Sequence, residues 1–205
     1  MQEQVDGKPT QQFSLPPEVA RWRKAERERL IGERLAIPAD TRQAMAERIA
    51  AGLSACIGGF EDRTVSLYWP FRGEPDLRPW MRTVIDGGGR IALPVVVGKA
   101  RPLVFRDYSP GDPLEKGIWN IPVPASGAPV VPDVVIAPLV GFDPQNYRLG
   151  YGGGFFDRTL AALPAKPLVI GIGYAMQAVA TIHPQPHDIP MDRIVTAPPV
   201  AGSPG

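Results

Sequence analysis

The sequence predicts a three-layer α/β/α domain, in which helices cover both faces of a largely parallel sheet. Two observations lead to this prediction. Apolar runs of strand length alternate along the chain with segments of helical periodicity. The run Pro167–Tyr174 is apolar at nearly every position, as expected of a strand that is covered on both faces. The 205 residues suit one such domain with a substantial core.

The two ends of the chain differ in composition from the middle. Residues 1–16 are polar and lack periodicity, which predicts a flexible N-terminal arm. The Pro-rich residues 198–205 predict a loose tail. A single α/β domain is therefore expected over residues 17–197.

The periodic segments follow one another in a clear order. Helical spacing predicts helices at Pro17–Leu35, Ala39–Cys56, Leu77–Asp86 and Phe155–Leu163. Apolar runs predict strands at Thr64–Trp69, Arg90–Val97, Pro102–Arg106, Val134–Ala137 and Pro167–Tyr174. Pro94 suggests a sheet edge or a bulge, since proline cannot donate to a strand ladder. The connection 108–132 has no periodicity of its own, and such long connections are often functional or mobile.

The first predicted helix is crowded with charge. It carries Arg23, Lys24, Arg27, Arg29 and Arg34, interleaved with three glutamates. Alternating charges of this kind usually form a solvated, salt-bridged face, and that interpretation is favoured on local sequence alone.

Composition excludes several classes of function. Because 22 Lys and Arg balance 21 Asp and Glu, no long-range field favours nucleic acid or an anionic membrane. No apolar run is long enough to span a membrane, and the N-terminus is unlike a signal peptide. The lone Cys56 excludes an internal disulfide and suits a core role. We expect a cytoplasmic protein that acts on small molecules, as a monomer or small homo-oligomer.

A glycine cluster at Gly150 and 152–154 is the strongest chemical signal. It separates an apolar strand from a helix, so its N–H groups and the helix start can form an anion site. Arg148 offers a fork of donors for phosphate oxygens, and Asp157 offers an oxygen ligand for magnesium. The alternative is an ordinary tight turn with an Asp that offsets the helix dipole.

Other candidates lie after strand ends. Glu74 follows the first strand, with Tyr68, Trp69 and Phe71 as possible aromatic walls, because ligands bind at the carboxyl ends of strands in open α/β sheets. An exposed turn with core aromatics is the alternative. Near the end, Asp188 and Asp192 are further oxygen ligands for magnesium. Two histidines separated by prolines make a zinc site improbable.

The segment Arg148–Arg158, RLGYGGGFFDR, closely resembles the signature of the 5-formyltetrahydrofolate cyclo-ligase family, also called methenyltetrahydrofolate synthetases. Three further matches fall in the family's order: the basic helix, YWPFRGE over Tyr68–Glu74, and DIPMD over Asp188–Asp192. Together the matches span about Arg23 to Thr196. The resemblance implies a layered α/β fold similar to that of sugar-phosphate isomerases and CoA transferases.

The resemblance also implies a reaction and a site. Family enzymes use ATP and magnesium to convert 5-formyltetrahydrofolate to 5,10-methenyltetrahydrofolate, releasing ADP and phosphate. ATP would then be bound by Arg23 or Lys24, with Arg27, Arg148, Leu149, Gly150, Tyr151, Gly152, Gly153, Gly154, Phe155 and Phe156. The folate would meet Trp69, Glu74, Tyr151, Gly152, Gly153, Gly154 and Phe155. Arg148 and Tyr151 would lie at the reacting groups, and Asp157 and Asp188 would hold magnesium.

The chain departs from the family pattern at a few positions. Phe155 and Phe156 stand where many members have a tyrosine, Arg23 where many have lysine, and Asn120 where many have glycine or glutamate. Two alternatives stay open: an ATP-binding paralogue that acts on another substrate, and a non-catalytic folate-binding protein. Retention of Asp157 and Asp188 argues against the second, because sequestration needs no magnesium.

Overall fold

Four α-helices pack around the sheet in the computed structural model, which describes residues 15–197. They are α1 (Pro17–Ala36), α2 (Ala39–Ile57), α3 (Trp80–Asp86) and α4 (Phe155–Ala162). Each begins within three residues of its predicted start and ends within one residue of its predicted end. Nearly all of the proposed arm and all of the proposed tail lie outside the described residues. No helix within the described range is long and apolar enough to span a membrane.

Eleven strands are present over the same range. They are β1 (Thr64–Ser66), β2 (Arg90–Val96), β3 (Leu103–Tyr108), β4 (Leu114–Lys116), β5 (Pro122–Pro124), β6 (Pro129–Val130), β7 (Val134–Pro138), β8 (Gly141–Phe142), β9 (Arg148–Leu149), β10 (Leu168–Tyr174) and β11 (Arg193–Ala197). The main sheet has the order β11-β10-β7-β1-β2-β3-β6. Strands β11, β10, β7, β1 and β2 are parallel and β3 is antiparallel to both neighbours, so the predicted largely parallel sheet is confirmed.

The two faces of β7 show why the domain has three layers. Val134 and Ile136 pack in a core cluster with residues of α2 and α3. Val135 and Ala137 belong to a second cluster, which includes side chains of α4. Because successive strand residues point to opposite faces, a strand that is apolar throughout must be covered on both. A smaller third cluster joins Leu30 of α1 to the segment that follows β7.

Several sequence predictions need correction. The ladder of β1 ends at Ser66, three residues before the predicted end, because the chain leaves the sheet to form the wall of a cleft. The connection 108–132 is not without structure: β4 and β5 form a hairpin, and β6 joins the main sheet. Strand β11 was not predicted. Its sequence, RIVTA, is partly polar and lacks the apolar run by which the other strands were predicted, yet it pairs with β10 at five positions.

Pro94 lies in an interior strand, yet its missing N–H costs the sheet no backbone hydrogen bond. Ala92 accepts a backbone hydrogen bond from Leu67, so the backbone groups of Ala92 face β1. Alternate strand residues face the same neighbour, and Pro94 therefore faces the position just beyond the end of β1. The strand is locally an edge there, as the proline predicts. The space beyond the carboxyl end of β1 opens into the cleft that is described below. Pro94 lines that cleft.

Candidate active site

One cleft, with a volume of about 230 Å³, gathers most of the residues that the sequence singled out. It lies at the carboxyl edge of the parallel strands, where the chain leaves β1 and where the glycine loop (150–154) enters α4. The hairpin of β4 and β5 closes another side. Its wall includes Arg23, Arg27, Trp69, Glu74, Trp119, Arg148, Gly150, Tyr151, Gly152, Gly153, Gly154, Phe155, Phe156, Asp157 and Asp188.

The glycine loop is shaped in a way that other residues would not permit. Gly152 has φ +94° and Gly154, directly before α4, has φ +60°. A Cβ atom at Gly153 would approach the ring of Phe155 to 2.7 Å. Apart from Tyr151, the loop is therefore bare backbone, and it leads into a helix N-terminus that carries partial positive charge.

Two arginines hold the carbonyl groups of this loop. Arg27 Nε donates to the carbonyl oxygen of Gly150 at 2.6 Å, and Arg158 Nη2 donates to that of Gly153. In a trans peptide the N–H points opposite to the C=O, so the N–H groups of Tyr151 and Gly154 are turned away from the two arginines. Burial, followed by the nearby charge of Arg23, lowers the pKa of Arg27. The arginines keep the loop rigid and add positive charge beside it.

Arg23 is buried rather than solvated. Its Nη2 lies 2.5 Å from Oδ2 of Asp188, and its Nε donates to the carbonyl oxygen of Ile182 at 3.0 Å. Lys24, its neighbour, is exposed on the outer side of α1. The structure therefore brings Arg23, not Lys24, to the cleft. The expected solvated face exists only in part, at Arg29, which pairs with Glu26 and Glu33.

Arg148 pairs with Asp157 across the mouth of the glycine loop. Its Nη2 lies 3.2 Å from Oδ2 of Asp157, and its guanidinium lies 4.8 Å from the ring centre of Phe156. Burial, partly offset by Asp157 and Asp188, lowers the pKa of Arg148. Its Nε is buried and has no partner within the described residues. A buried donor without a partner is costly, and an anion in the cleft would remove that cost.

Asp157 lies beside the segment that carries Asp188. Asp157 Oδ1 accepts a hydrogen bond from the N–H of Ile189, the residue after Asp188, at 3.2 Å. Both carboxylates already pair with an arginine, and the described residues hold no cluster of three or more metal-ligating side chains. Magnesium often binds through one or two carboxylates and completes its shell with water and phosphate oxygens, so this pair fits magnesium that arrives with a nucleotide. Asp192 lies elsewhere, accepting from Lys166 and from the N–H of Val169.

The opposite wall of the cleft is aromatic. Phe71 and Trp119 are stacked with ring centres 6.2 Å apart and planes 9° apart, and Tyr151 lies about 6 Å from each. Trp119 is 55% exposed and has φ +57°. Trp69 lines the same wall, with the guanidinium of Arg78 5.1 Å from its ring centre. These rings present a flat, apolar slot beside the glycine loop.

A buried polar chain lies behind the aromatic wall. Tyr151 donates its hydroxyl to Glu74 Oε1 at 3.0 Å and accepts from Arg34 Nη2 at 2.6 Å. The other carboxylate oxygen of Glu74 accepts the N–H of Phe71 at 2.9 Å. Burial raises the pKa of Glu74 to about 7, although Arg34 opposes the rise. Burial and the charge of Glu74 raise the pKa of Tyr151, so it stays a neutral hydroxyl.

Sequence reasoning missed two residues of this site. Arg34 was grouped with the solvated charges of α1, although it lies seven residues after Arg27 and thus on the same helix face. That spacing was the available signal. Trp119 is the other residue: it lies in the connection 108–132 and lines the cleft. Leu149, which the resemblance assigns to ATP binding, borders the cleft but is almost fully buried in the core cluster of Leu30.

Comparison with known proteins gives a consistent result. The model of the "5-formyltetrahydrofolate cyclo-ligase family" matches residues 19–197. A 5-formyltetrahydrofolate cyclo-ligase of Mycolicibacterium smegmatis is 32% identical over 176 residues, which cover 82% of this chain and 89% of the relative. One from Escherichia coli is 32% identical over 170 residues, covering 80% and 93%.

Solved structures agree with the sequence relatives. The NMR structure of 5,10-methenyltetrahydrofolate synthetase from Aquifex aeolicus has a TM-score of 0.73 and 26% identity, covering 89% of this chain and 95% of that one. The synthetase from Mycoplasma pneumoniae has a TM-score of 0.71 at 24% identity, covering 85% and 98%, and supports the fold.

Proposed function

Since the chain belongs to the 5-formyltetrahydrofolate cyclo-ligase family, we propose that it closes 5-formyltetrahydrofolate to 5,10-methenyltetrahydrofolate at the expense of ATP. The products besides the folate are ADP and phosphate. The cleft supports this assignment because one wall suits a polyphosphate and the other suits a flat heterocycle.

The chemistry needs activation of an unreactive carbonyl. The formyl group is an amide, so its oxygen first takes the γ-phosphoryl group of ATP. N10 of the folate then attacks the formyl carbon, its proton is released, and the carbon–oxygen bond breaks as phosphate departs. No protein nucleophile is required. The protein must align two substrates and neutralise charge on the transferred group, which is how phosphoryl transfer is generally catalysed.

The glycine loop and its arginines would bind ATP. The loop presents N–H groups at a helix start, and Arg23, Arg27 and Arg148 lie beside it with their guanidinium groups inside the cleft wall. Arg148 and Arg158 each have a buried Nε without a partner among the described residues, and of the two only Arg148 lines the cleft, where it could donate to a phosphoryl oxygen. Its position at the mouth of the loop supports a role at the transferred phosphoryl group.

Asp157 and Asp188 would hold magnesium together with the phosphate oxygens. Bound magnesium would supply neutralising charge to the nucleotide phosphates. Each of these carboxylates also pairs with an arginine, Asp188 with Arg23 and Asp157 with Arg148.

The aromatic wall would bind the pterin of the folate. Trp69 and Trp119 offer ring faces for stacking, and Glu74 at the inner end of the slot offers a carboxylate for pterin N–H groups. Tyr151 belongs to both walls, since its backbone lies in the glycine loop and its hydroxyl contacts Glu74. This link between the phosphate loop and the buried carboxylate is the single observation that carries the proposal.

The test follows methenyl formation by its near-ultraviolet absorbance. Purified protein is mixed with 5-formyltetrahydrofolate and Mg-ATP, and a matched reaction omits ATP. We expect a rise that depends on both ATP and magnesium, with ADP formed in equal amount. Absorbance that rises equally without ATP would contradict the proposal.

If no product forms, binding measurements distinguish the two alternatives, an ATP-binding paralogue and a folate-binding protein without catalysis. Calorimetric titration with ATP and with 5-formyltetrahydrofolate gives each affinity. Binding of ATP without folate would replace the proposal by a paralogue with another substrate. Binding of folate without ATP would replace it by a sequestering protein.

A further inference from the structure

Arg34 is a buried cation that the proposed reaction does not use directly. It lies in the last turn of α1, has no exposed surface, and does not line the cleft. An arginine is rarely buried to this extent unless it is fully paired. Its three partners therefore indicate why the chain places it there.

The three partners belong to three different segments of the cleft wall. Nε donates to the carbonyl oxygen of Arg72 at 2.9 Å, in the segment after β1. Nη1 donates to the carbonyl oxygen of Leu139 at 3.2 Å, just after β7. Nη2 donates to Tyr151 Oη at 2.6 Å, in the glycine loop. A lysine has one nitrogen and could not reach all three acceptors with this geometry.

The hydrogen bond from Arg34 to Tyr151 also fixes the direction of the hydrogen bond between Tyr151 and Glu74. An arginine has no acceptor, so the hydroxyl of Tyr151 must accept from Arg34 and can donate only elsewhere. The Tyr151 hydroxyl therefore donates its hydrogen to Glu74 Oε1, which lies 3.0 Å away. Arg34 and Glu74 form no direct ion pair among the described contacts, so the tyrosine connects the buried cation to the buried carboxylate.

We propose that Arg34 is a positioning residue for the folate: it fixes Tyr151 against Glu74, so folate binding depends on a guanidinium that neither substrate touches. The inference rests on the proposed function for the identity of the ligand. We expect ATP binding to depend much less on Arg34, because Arg27 holds the carbonyl group of Gly150 and Arg158 that of Gly153, and neither bond involves Arg34.

The experiment replaces Arg34 and measures the two substrates separately. Arg34→Met removes the charge and all donors, Arg34→Lys keeps the charge, and Arg29→Met is the matched control at an exposed position of the same helix. We expect Arg34→Met to raise the KM for folate 10- to 100-fold, as for loss of a hydrogen bond to a charged network, while the KM for ATP changes less than about 2-fold. Arg34→Lys should lie between wild type and Arg34→Met.

A double-mutant cycle tests whether the effect passes through the tyrosine. If Arg34 acts through Tyr151, Arg34→Met should add little to the folate KM of Tyr151→Phe. Independent, multiplicative effects would overturn the proposal. Equal increases of both KM values in Arg34→Met would also overturn it, because a merely structural arginine would disturb both walls. If Arg34→Met does not fold, Arg34→Lys carries the same comparison.

A second readout needs no turnover. The titration of Glu74 is followed by ¹³C NMR of its carboxyl group in the free protein. The charged or titratable groups around it are Arg34 and Tyr151, with Tyr68, Tyr174, Asp76 and Arg42 beyond them. Loss of Arg34 should raise the midpoint above its wild-type value, and Arg34→Lys should reduce that rise. An unchanged midpoint would overturn the positioning role.

The two readouts separate this inference from the proposed function. A wild-type protein without cyclo-ligase activity contradicts the proposed function, while the NMR titration still decides whether Arg34 acts on Glu74. Normal wild-type activity with no selective change in folate KM contradicts the inference alone.

Discussion

The buried charges of the two cleft walls are paired in different ways. On the glycine-loop side each arginine has a separate anionic or carbonyl partner: Arg23 with Asp188, Arg148 with Asp157 and Arg27 with Gly150. On the aromatic side one carboxylate and one arginine are connected through the hydroxyl of Tyr151. The first wall is a set of local pairs, and the second is a single chain of hydrogen bonds.

This difference has consequences for perturbation. In a set of pairs, removal of one group affects mainly its partner and the ligand at that point. In a connected chain, removal of one group changes the charge and hydrogen bonding of the others, since a buried group left unpaired is costly. The glycine-loop wall should therefore respond to single changes by losing phosphate binding. The aromatic wall should respond by changing its pH dependence.

The largest effect is expected from Arg148→Ala. Loss of a donor at the transferred phosphoryl group should lower kcat/KM about 100- to 1000-fold, with folate affinity changed little. Steady-state kinetics and calorimetric titration with each substrate measure this. Arg82→Ala is the control, because Arg82 pairs with Asp86 on the exposed face of α3. Equal losses of ATP and folate affinity would show that Arg148 supports both walls structurally.

Asp157→Asn should give the next largest effect. The amide is similar in size but lacks the charge that attracts magnesium, so the magnesium concentration for half-maximal rate should rise at least about 10-fold. Folate binding should stay within about 2-fold. The measurement is the rate over a range of magnesium concentrations at fixed ATP. A curve that coincides with wild type would remove Asp157 from the metal site.

Glu74→Gln tests the connected chain through pH. The folded-state pKa of Glu74 is raised from 4.5 to about 7, chiefly by burial, so the folded protein retains a proton that the unfolded chain releases. The contribution of this retained proton to the unfolding free energy is fully present below pH 4.5, and it is lost as the pH rises to about 7. The unfolding free energy of wild type relative to Glu74→Gln should therefore fall by roughly 3 kcal/mol over that window.

Urea denaturation at several pH values measures this difference. The same variant should raise the folate KM about 10-fold at pH 8, where the wild-type residue is ionised, and less at pH 6. Asp86→Asn on α3 is the control, since its side chain is exposed. A stability difference that does not vary with pH would show that Glu74 titrates near its ordinary pKa.

The smallest effect is expected from Trp119→Ala. The side chain is 55% exposed, so unfolding stability should change by less than about 0.5 kcal/mol. Loss of one stacking face should raise the folate KM about 5- to 10-fold and leave the KM for ATP unchanged. Val131→Ala, at an exposed apolar position of the same connection but outside the cleft lining, is the control. Weakened ATP binding would mean that Trp119 closes over both walls.

The glycine loop and the parallel sheet could be predicted because their causes are local. The conformation of the loop follows from its own glycines, at 150 and 152–154. The burial of a strand such as Pro167–Tyr174 follows from its own apolar residues. Strand β11 could not be predicted in this way, because its sequence is partly polar and its pairing with β10 is set by a neighbour distant in sequence. The hairpin of β4 and β5 was missed for another reason: each strand has only three residues, and β5 begins and ends with proline, which is uncommon in strands.

The sequence by itself determined the layered fold and the glycine loop, and it singled out the candidates Arg148, Asp157 and Glu74, since each follows from residue type and spacing. Only the tertiary structure decided which charges are buried. Arg23, Arg29 and Arg34 look alike along α1, yet Arg23 meets Asp188, Arg29 stays at the surface, and Arg34 meets Tyr151. The reason is physical: a charge is buried where partners from distant segments satisfy its donors, and those partners do not appear in its local sequence.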